Sequence, residues 1–335
     1  MKTALEVLEP GWVSNLTDLG RRGSERLGVA TSGASDQYSA EVANILVANP
    51  RDAVLLEVVG ARFRLRAGGT VVLAVTGAPS AVTIDGVAAP MWRTLVLRAG
   101  SELAVAAGEG GLRTYLAVHG ALATGLFLGS AAPDPRMGFP QRLAAGQVLD
   151  LDDGLDELAV KRIENTQPPI GIAPRVPDFA AARWTIDITE GPETAAVPGI
   201  AELLANSTYT VGPRSDHIGL RLDGPVLHPQ GLGEITSHGV PIGSVEIPHS
   251  DELIILGRAR SLTAGYPIVA VATSASLALL GQAAPGRRIA FRWTDLATAR
   301  DDHRERRREL RRLEQRVRTA FGATGFLDPG DGGVP

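Results

Sequence analysis

The 335 residues carry a formal charge of −4 and no cysteine, which removes disulfides, thiolate nucleophiles and cysteine-ligated zinc or iron–sulfur centres together. The length favours two domains over one, and Val, Leu, Ile and Ala are plentiful enough to fill both cores. The acidic balance speaks against nucleic acid, no apolar run approaches the roughly 18 residues of a membrane span, and MKTALEVLEPGW lacks the core of a signal peptide, so a cytoplasmic chain is expected.

In chain order, 37–49 puts Tyr38, Val42, Ile45 and Leu46 on one helical face with Asp36 as N-cap, a helix expected to plug one end of a β domain. Residues 71–76, 81–84, 94–97, 102–106 and 113–118 read as strands punctuated by Gly77, Asp85-Gly86, Ala99-Gly100 and Gly110-Gly111, the spacing of a barrel or sandwich. A charged stretch followed by Thr166-Gln-Pro-Pro169 and Pro174 marks a boundary. The expected plan is therefore a first β domain over 1–160, a linker over 161–177 and a second β domain over 178–298. Strands at 184–189, 254–256, 268–272 and 288–293 and a short helix at 274–280 belong to the second domain. Leu310, Leu313, Val317 and Phe321 then follow helical spacing within a helix at 299–321. Nine arginines between 300 and 318 face five acids there, either on a solvated helix docked to its own domain or on a surface for a subunit or an acidic ligand. A loose tail is expected over 322–335.

Several chemistries are excluded by what is missing. Lys2 and Lys161 are the only lysines, so there is no phosphate-binding loop of the G-x-x-x-x-G-K type and no biotin-carrier lysine. No serine sits in G-x-S-x-G, and none of the six histidines forms an H-x-x-x-H pair, so neither a nucleophile elbow nor a histidine metal site is expected.

The stretch 237–267, SHGVPIGSVEIPHSDELIILGRARSLTAGYP, holds the residues best suited to a site. Gly239, Gly243 and Gly265 permit unusual backbone conformations or close approach of a ligand, or else serve turns and bulges. Residues 251–256 read as a buried strand holding the flanking loops. Glu246 is the candidate base if burial raises its pKa. His238, next to Ser237, is either a donor or acceptor for a bound carbonyl or a structural partner. Tyr266, near Thr263, offers an apolar face and a hydroxyl for a planar ring, or fills a core. Upstream, Arg214 and Asp216 flank Ser215, as an anchor for a carboxylate or amide or as a surface ion pair. Ser24-Glu-Arg-Leu-Gly-Val29 resembles Ser215-Asp-His-Ile-Gly-Leu220, and Gly33-Ala-Ser-Asp36 resembles Gly243-Ser-Val-Glu246. A duplication would put Asp36 and Glu246 at similar points of two barrels, Asp36 as a capping or a catalytic residue.

A set of motifs in fixed order then carries a resemblance. In the first half these are Thr17-Asp-Leu-Gly20, Leu27-Gly-Val29, Ser32-Gly-Ala-Ser-Asp36, Ala43-Asn-Ile-Leu46, Asn49-Pro50, Leu56-Glu57, Thr76-Gly-Ala78, Tyr115-Leu-Ala-Val118 and Leu128-Gly-Ser130. The second half adds Arg214-Ser-Asp216, Gly219-Leu-Arg-Leu222, Ser237-His-Gly239, Pro248 and Gly265-Tyr-Pro267. Over roughly 5–298 the chain resembles the biotin-dependent carboxyltransferase subunits also called allophanate hydrolase subunit 2. That family includes the C-type subunit of bacterial 5-oxoprolinase and the antagonist of the sporulation kinase inhibitor. The resemblance implies two cyclophilin-like β-barrel domains and a companion subunit of the allophanate hydrolase subunit 1 type. It also implies an oxoprolinase-like chain or a biotin carboxylase as further partner, with no nucleic acid or membrane involved. The implied chemistry is ATP-dependent opening of 5-oxoproline or carboxyl transfer from carboxybiotin to urea, with ATP or carboxybiotin supplied through partners and nothing bound covalently here. Glu246 stands where the family commonly has glutamine. Residues 259–264 lose an acid, a glutamine, a threonine and a glycine of the family pattern. An altered substrate and a non-catalytic binding or regulatory role both follow from such departures.

Overall fold

The computed structural model describes residues 4–60, 62–108, 110–139, 141–151, 159, 174–227, 235–248 and 252–323. The fold is mainly β with a C-terminal helix, as expected. Contacts group 1–19, 37–177 and 307–335 into one unit, and 20–36 with 178–306 into another. Segment 20–36 therefore goes with the second unit, and most of 161–177 and of 322–335 lies outside the described residues.

The first unit has eleven described strands: β1 (Ala4–Pro10), β2 (Val13–Thr17), β3 (Leu55–Val59), β4 (Phe63–Ala67), β5 (Val71–Gly77), β6 (Ser80–Ile84), β7 (Val87–Ala89), β8 (Thr94–Leu97), β9 (Glu102–Ala107), β10 (Arg113–Val118) and β11 (Val148–Asp150). They form two antiparallel sheets, β11-β1-β4-β9-β6-β7 and β2-β3-β10-β5-β8. One apolar cluster is shared by both sheets, with Leu5, Val7, Phe63, Leu65 and Leu103 from one and Leu56, Leu73, Val75 and Leu116 from the other. Alternation of period two sends these side chains inward while Arg64 and Arg66 pair with Glu9, Glu6 and Glu102 on the outer face.

Helix α1 (Gln37–Leu46) lies across β5 and β10 rather than plugging a barrel end. Thr76 Oγ1 donates to Ser39 O at 2.7 Å, and Thr94 Oγ1 donates to Leu46 O at 2.7 Å.

The second unit contains β12 (Arg183–Glu190), β13 (Thr208–Val211), β14 (Gly219–Asp223), β15 (His238–Gly239), β16 (Ser244–Glu246), β17 (Leu253–Leu256), β18 (Thr263–Ala264), β19 (Ile268–Ala272) and β20 (Arg288–Trp293), with helices α2 (Ile200–Asn206) and α3 (Leu277–Leu280). Seven strands close a barrel in the order β12-β19-β16-β17-β14-β13-β20, sealed by parallel pairing of β12 with β20. Closure leaves no open edge within it. Trp184, Ile186, Tyr209, Val245, Ile255 and Ile289 are all at most 2% exposed. β15 and β18 stand apart as a two-stranded ribbon.

Helix α4 (Leu296–Ala323) buries Leu310, Leu313, Val317 and Phe321, the stripe expected from their spacing. In the first unit it is held by Arg307 on Glu41 at 2.6 Å and by Glu314 on Arg51 at 2.5 Å. No helix among the described residues is long and apolar enough to cross a membrane.

Candidate functional site

Glu246 ends β16, where it pairs with Ile254 of β17 and, across a register shift, with Ile268 of β19. Those two residues belong to a small apolar cluster with Val240, Leu256, Ala264 and Val271. Its side chain is therefore set among hydrocarbon, only 3% exposed, and its Oε1 has no hydrogen-bond partner. Burial pushes its pKa from the ordinary 4.5 up to about 7, with the nearby His238 pulling the other way. A carboxyl group that is half-ionised near neutrality can both take and return a proton.

His238 comes from the ribbon, in which His238 pairs with Ala264 and Gly239 with Thr263. Its Nε2 lies 3.6 Å from Glu193 Oε1, and its Nδ1 lies 3.3 Å from Gly239 O. Glu193 was not singled out in the sequence. It is fixed through its Oε2, which accepts from Ile268 N at 2.9 Å, so it clamps the strand residue that Glu246 pairs with. Gly191-Pro-Glu193 makes this possible: a Cβ at Gly191 would fall 2.2 Å from Ile268 O. A Gly-Pro turn delivering an acid directly after a strand is the signal that could have found it.

The other expected residues divide into two groups. Around the ribbon, Ser237, Gly239 and Thr263 are exposed, Tyr266 is half-buried, and a Cβ at Gly265 would meet Ile235 O at 2.9 Å and Ser237 Oγ at 3.5 Å. Of the three glycines expected to need unusual backbone, only Gly243 has positive φ, at 86°. Gly239 has open space around it, and Gly265 is required by close approach alone. The buried strand expected over 251–256 is Leu253–Leu256, with Asp251 outside the described residues.

Arg214, Ser215 and Asp216 are used by the turn between β13 and β14. Asp216 Oδ1 accepts from Ile218 N at 2.8 Å and Gly219 N at 3.2 Å. Ser215 Oγ accepts from Arg221 N at 3.0 Å. Arg214 pairs with the buried Glu252 at 2.9 Å, and Arg221 shares that carboxylate. These residues form the ion-paired turn that was the alternative to a ligand anchor. Asp36 is fully buried and its Oδ2 accepts from Gln282 Nε2 at 2.9 Å. It belongs to the second unit, as Glu246 does. Asp18 is likewise internal, accepting from Ser130 Oγ at 2.6 Å and Ala131 N at 2.7 Å. Among the described residues no group of three or more His, Asp and Glu is placed to hold a metal ion.

Known proteins resemble this chain over most of its length. The C-type subunit of 5-oxoprolinase from Escherichia coli K12 is 26% identical over 322 residues, 93% of this chain and 98% of its own length. Urea amidolyase of Saccharomyces cerevisiae is 27% identical over 309 residues, 86% of this chain but 16% of that much longer protein. The solved urea carboxylase of Kluyveromyces lactis shares the fold, with a TM-score of 0.81 at 24% identity, over 99% of this chain and 30% of its own. Relatives are thus enzyme subunits or segments of multidomain enzymes. Residues 27–293 match the carboxyltransferase domain, subdomain A and B, and the chain belongs to that family.

Proposed function

We propose that this chain is the counterpart of the C-type subunit in a 5-oxoprolinase-type complex, acting on an amide nitrogen with Glu246 as base and His238 as its polar partner. The observation that carries this reading is the buried Glu246 carboxyl, with an unpartnered Oε1 and a pKa pushed to about 7 beside His238. A neutral amide nitrogen is a poor nucleophile and a poor leaving group, so work on it needs a positioned base and a donor for the carbonyl oxygen. Glu246 takes the N–H proton while the carbonyl oxygen is activated and returns it to the nitrogen as the C–N bond opens, and the His238 ring, held through Nδ1 at Gly239 O, turns its Nε2, which has no hydrogen-bond partner, toward the carbonyl. The apolar cluster of Val240, Ile254 and Ile268 keeps water from competing for the carboxylate.

A companion subunit of the allophanate hydrolase subunit 1 type and an oxoprolinase-like chain complete the complex, the latter supplying ATP-driven activation of the carbonyl. The branch ending in urea would instead use a biotin carboxylase and receive carboxybiotin from it. The similarity to the C-type 5-oxoprolinase subunit along nearly its whole length supports the first branch. Co-expression with candidate companions and assay of ATP-dependent 5-oxoproline cleavage tests it. Glu246→Ala and His238→Ala complexes should each lose at least about 100-fold in turnover. Unchanged turnover in either variant refutes the site.

A further inference from the structure

Arg260 is the buried cation of the loop leading into β18, only 7% exposed. Its Nε donates at 2.6 Å to the carbonyl oxygen of Val240, the residue that follows β15, and this fixes the guanidinium beside the ribbon that carries His238. Its Nη1 is also out of reach of solvent and has no acceptor. Among the described residues, the acid that acts on it is Glu25. That carboxylate is already committed, with Oε1 accepting from Thr31 Oγ1 and Oε2 from Gly23 N at 3.0 Å. A guanidinium remains charged in a folded protein, and a buried charged donor without an acceptor is costly.

Glu246 presents the complementary deficiency, a buried carboxyl oxygen with no donor. The two groups flank one apolar cluster: Val240 carries the carbonyl that holds Arg260, and Ile268 is the ladder partner of Glu246. A ligand with an amide N–H at one end and an anionic oxygen at the other satisfies both, with its hydrocarbon against the cluster. Urea has no anionic group and offers Nη1 only a neutral carbonyl acceptor, without the charge-assisted bond a carboxylate makes.

We infer that Arg260 is the residue that binds the carboxylate of the substrate held at the Glu246 site. The inference rests on the reading of Glu246 and His238 as the amide-handling pair, and it makes Arg260 the determinant of acid over neutral substrates. Residues 259–264 are then a rebuilt recognition loop.

Isothermal titration of the chain with 5-oxoproline, with 5-oxoprolinamide and with urea tests this. 5-Oxoproline should bind about ten-fold or more tightly than its amide, the weight of a charge-assisted hydrogen bond. Arg260→Gln should erase that preference by weakening 5-oxoproline alone, and Arg260→Lys should keep part of it. Arg260 also secures Val240 O, so the unfolding midpoint of each variant is measured alongside, and the acid-against-amide comparison on the unmodified chain needs no variant. Equal affinity for acid and amide, urea bound as tightly as 5-oxoproline, or binding of none of the three overturns the inference. Failure of the underlying reading shows itself separately: Glu246→Ala binding 5-oxoproline as tightly as the unmodified chain removes Glu246 from the site while the acid preference stays measurable.

Discussion

Replacing Glu246 by Gln should make the protein more stable at neutral pH and change how stability depends on pH. Glu246 titrates near 7 in the folded chain against an ordinary 4.5, because its carboxylate would be ionised among hydrocarbon. Below about pH 4.5 both states hold the proton and nothing is lost. Between 4.5 and 7 the unfolded chain releases a proton that the folded chain keeps, so stability falls as pH rises, and it levels off above 7. At about 1.4 kcal/mol for each tenfold change in proton affinity, the full cost is roughly 3 kcal/mol, of which about 2.5 kcal/mol appears between pH 5 and pH 8. Gln keeps the shape and cannot ionise. Urea unfolding of the two proteins at pH 5, 6, 7 and 8 measures the difference, and Glu246→Gln should gain about 2.5 kcal/mol on the unmodified chain across that range. His238 offsets part of the burial cost, so His238→Ala should steepen the loss. Parallel profiles within about 0.5 kcal/mol would show that the folded carboxyl titrates normally and would remove the physical basis for a poised base.

Two further outcomes follow from the same geometry. Arg214 has a side chain 72% exposed, so Arg214→Ala should cost less than about 1 kcal/mol in urea unfolding, whereas Glu252→Ala, which strips the buried acceptor from Arg214 and Arg221, should cost about 2 kcal/mol or more. Gly243→Ala meets both a φ of 86° and Ala272 O at 3.1 Å and should cost about 1–2 kcal/mol, while Gly239→Ala meets nothing within 4 Å and should stay within about 0.5 kcal/mol by thermal unfolding.

Local patterns were legible where one chemical signal dominates. Strands 94–97, 113–118, 268–272 and 288–293 were readable to the residue, because β-branched runs between glycine turns admit little else. The apolar stripe of α4 was readable because Leu310, Leu313, Val317 and Phe321 keep the helical period through an otherwise charged segment. Glu246 was visible as a lone acid between apolar residues, and His238 as a polar residue in a glycine-bounded turn. Glu193 was not visible, since it comes from a turn about 45 residues upstream of His238 and resembles a surface charge in sequence, and nothing in the sequence marks Arg260 as buried. Arg214, Ser215, Asp216 and Asp36 showed the opposite ambiguity: the residue types that bind ligands are also those that close turns and fill polar interiors.

Local composition and period alone carry the class of fold, the stripe of the final helix, the exclusion of cysteine and phosphate-loop chemistry, and the stretch in which the candidate site lies. Long-range packing was needed to group 20–36 with the second unit, to bring Glu193 onto Ile268, and to bury Glu246 and Arg260 without a full set of partners. Burial and hydrogen-bond satisfaction depend on which distant segments the chain brings together, and these are what turn a carboxyl group into a base and an arginine into a binding residue.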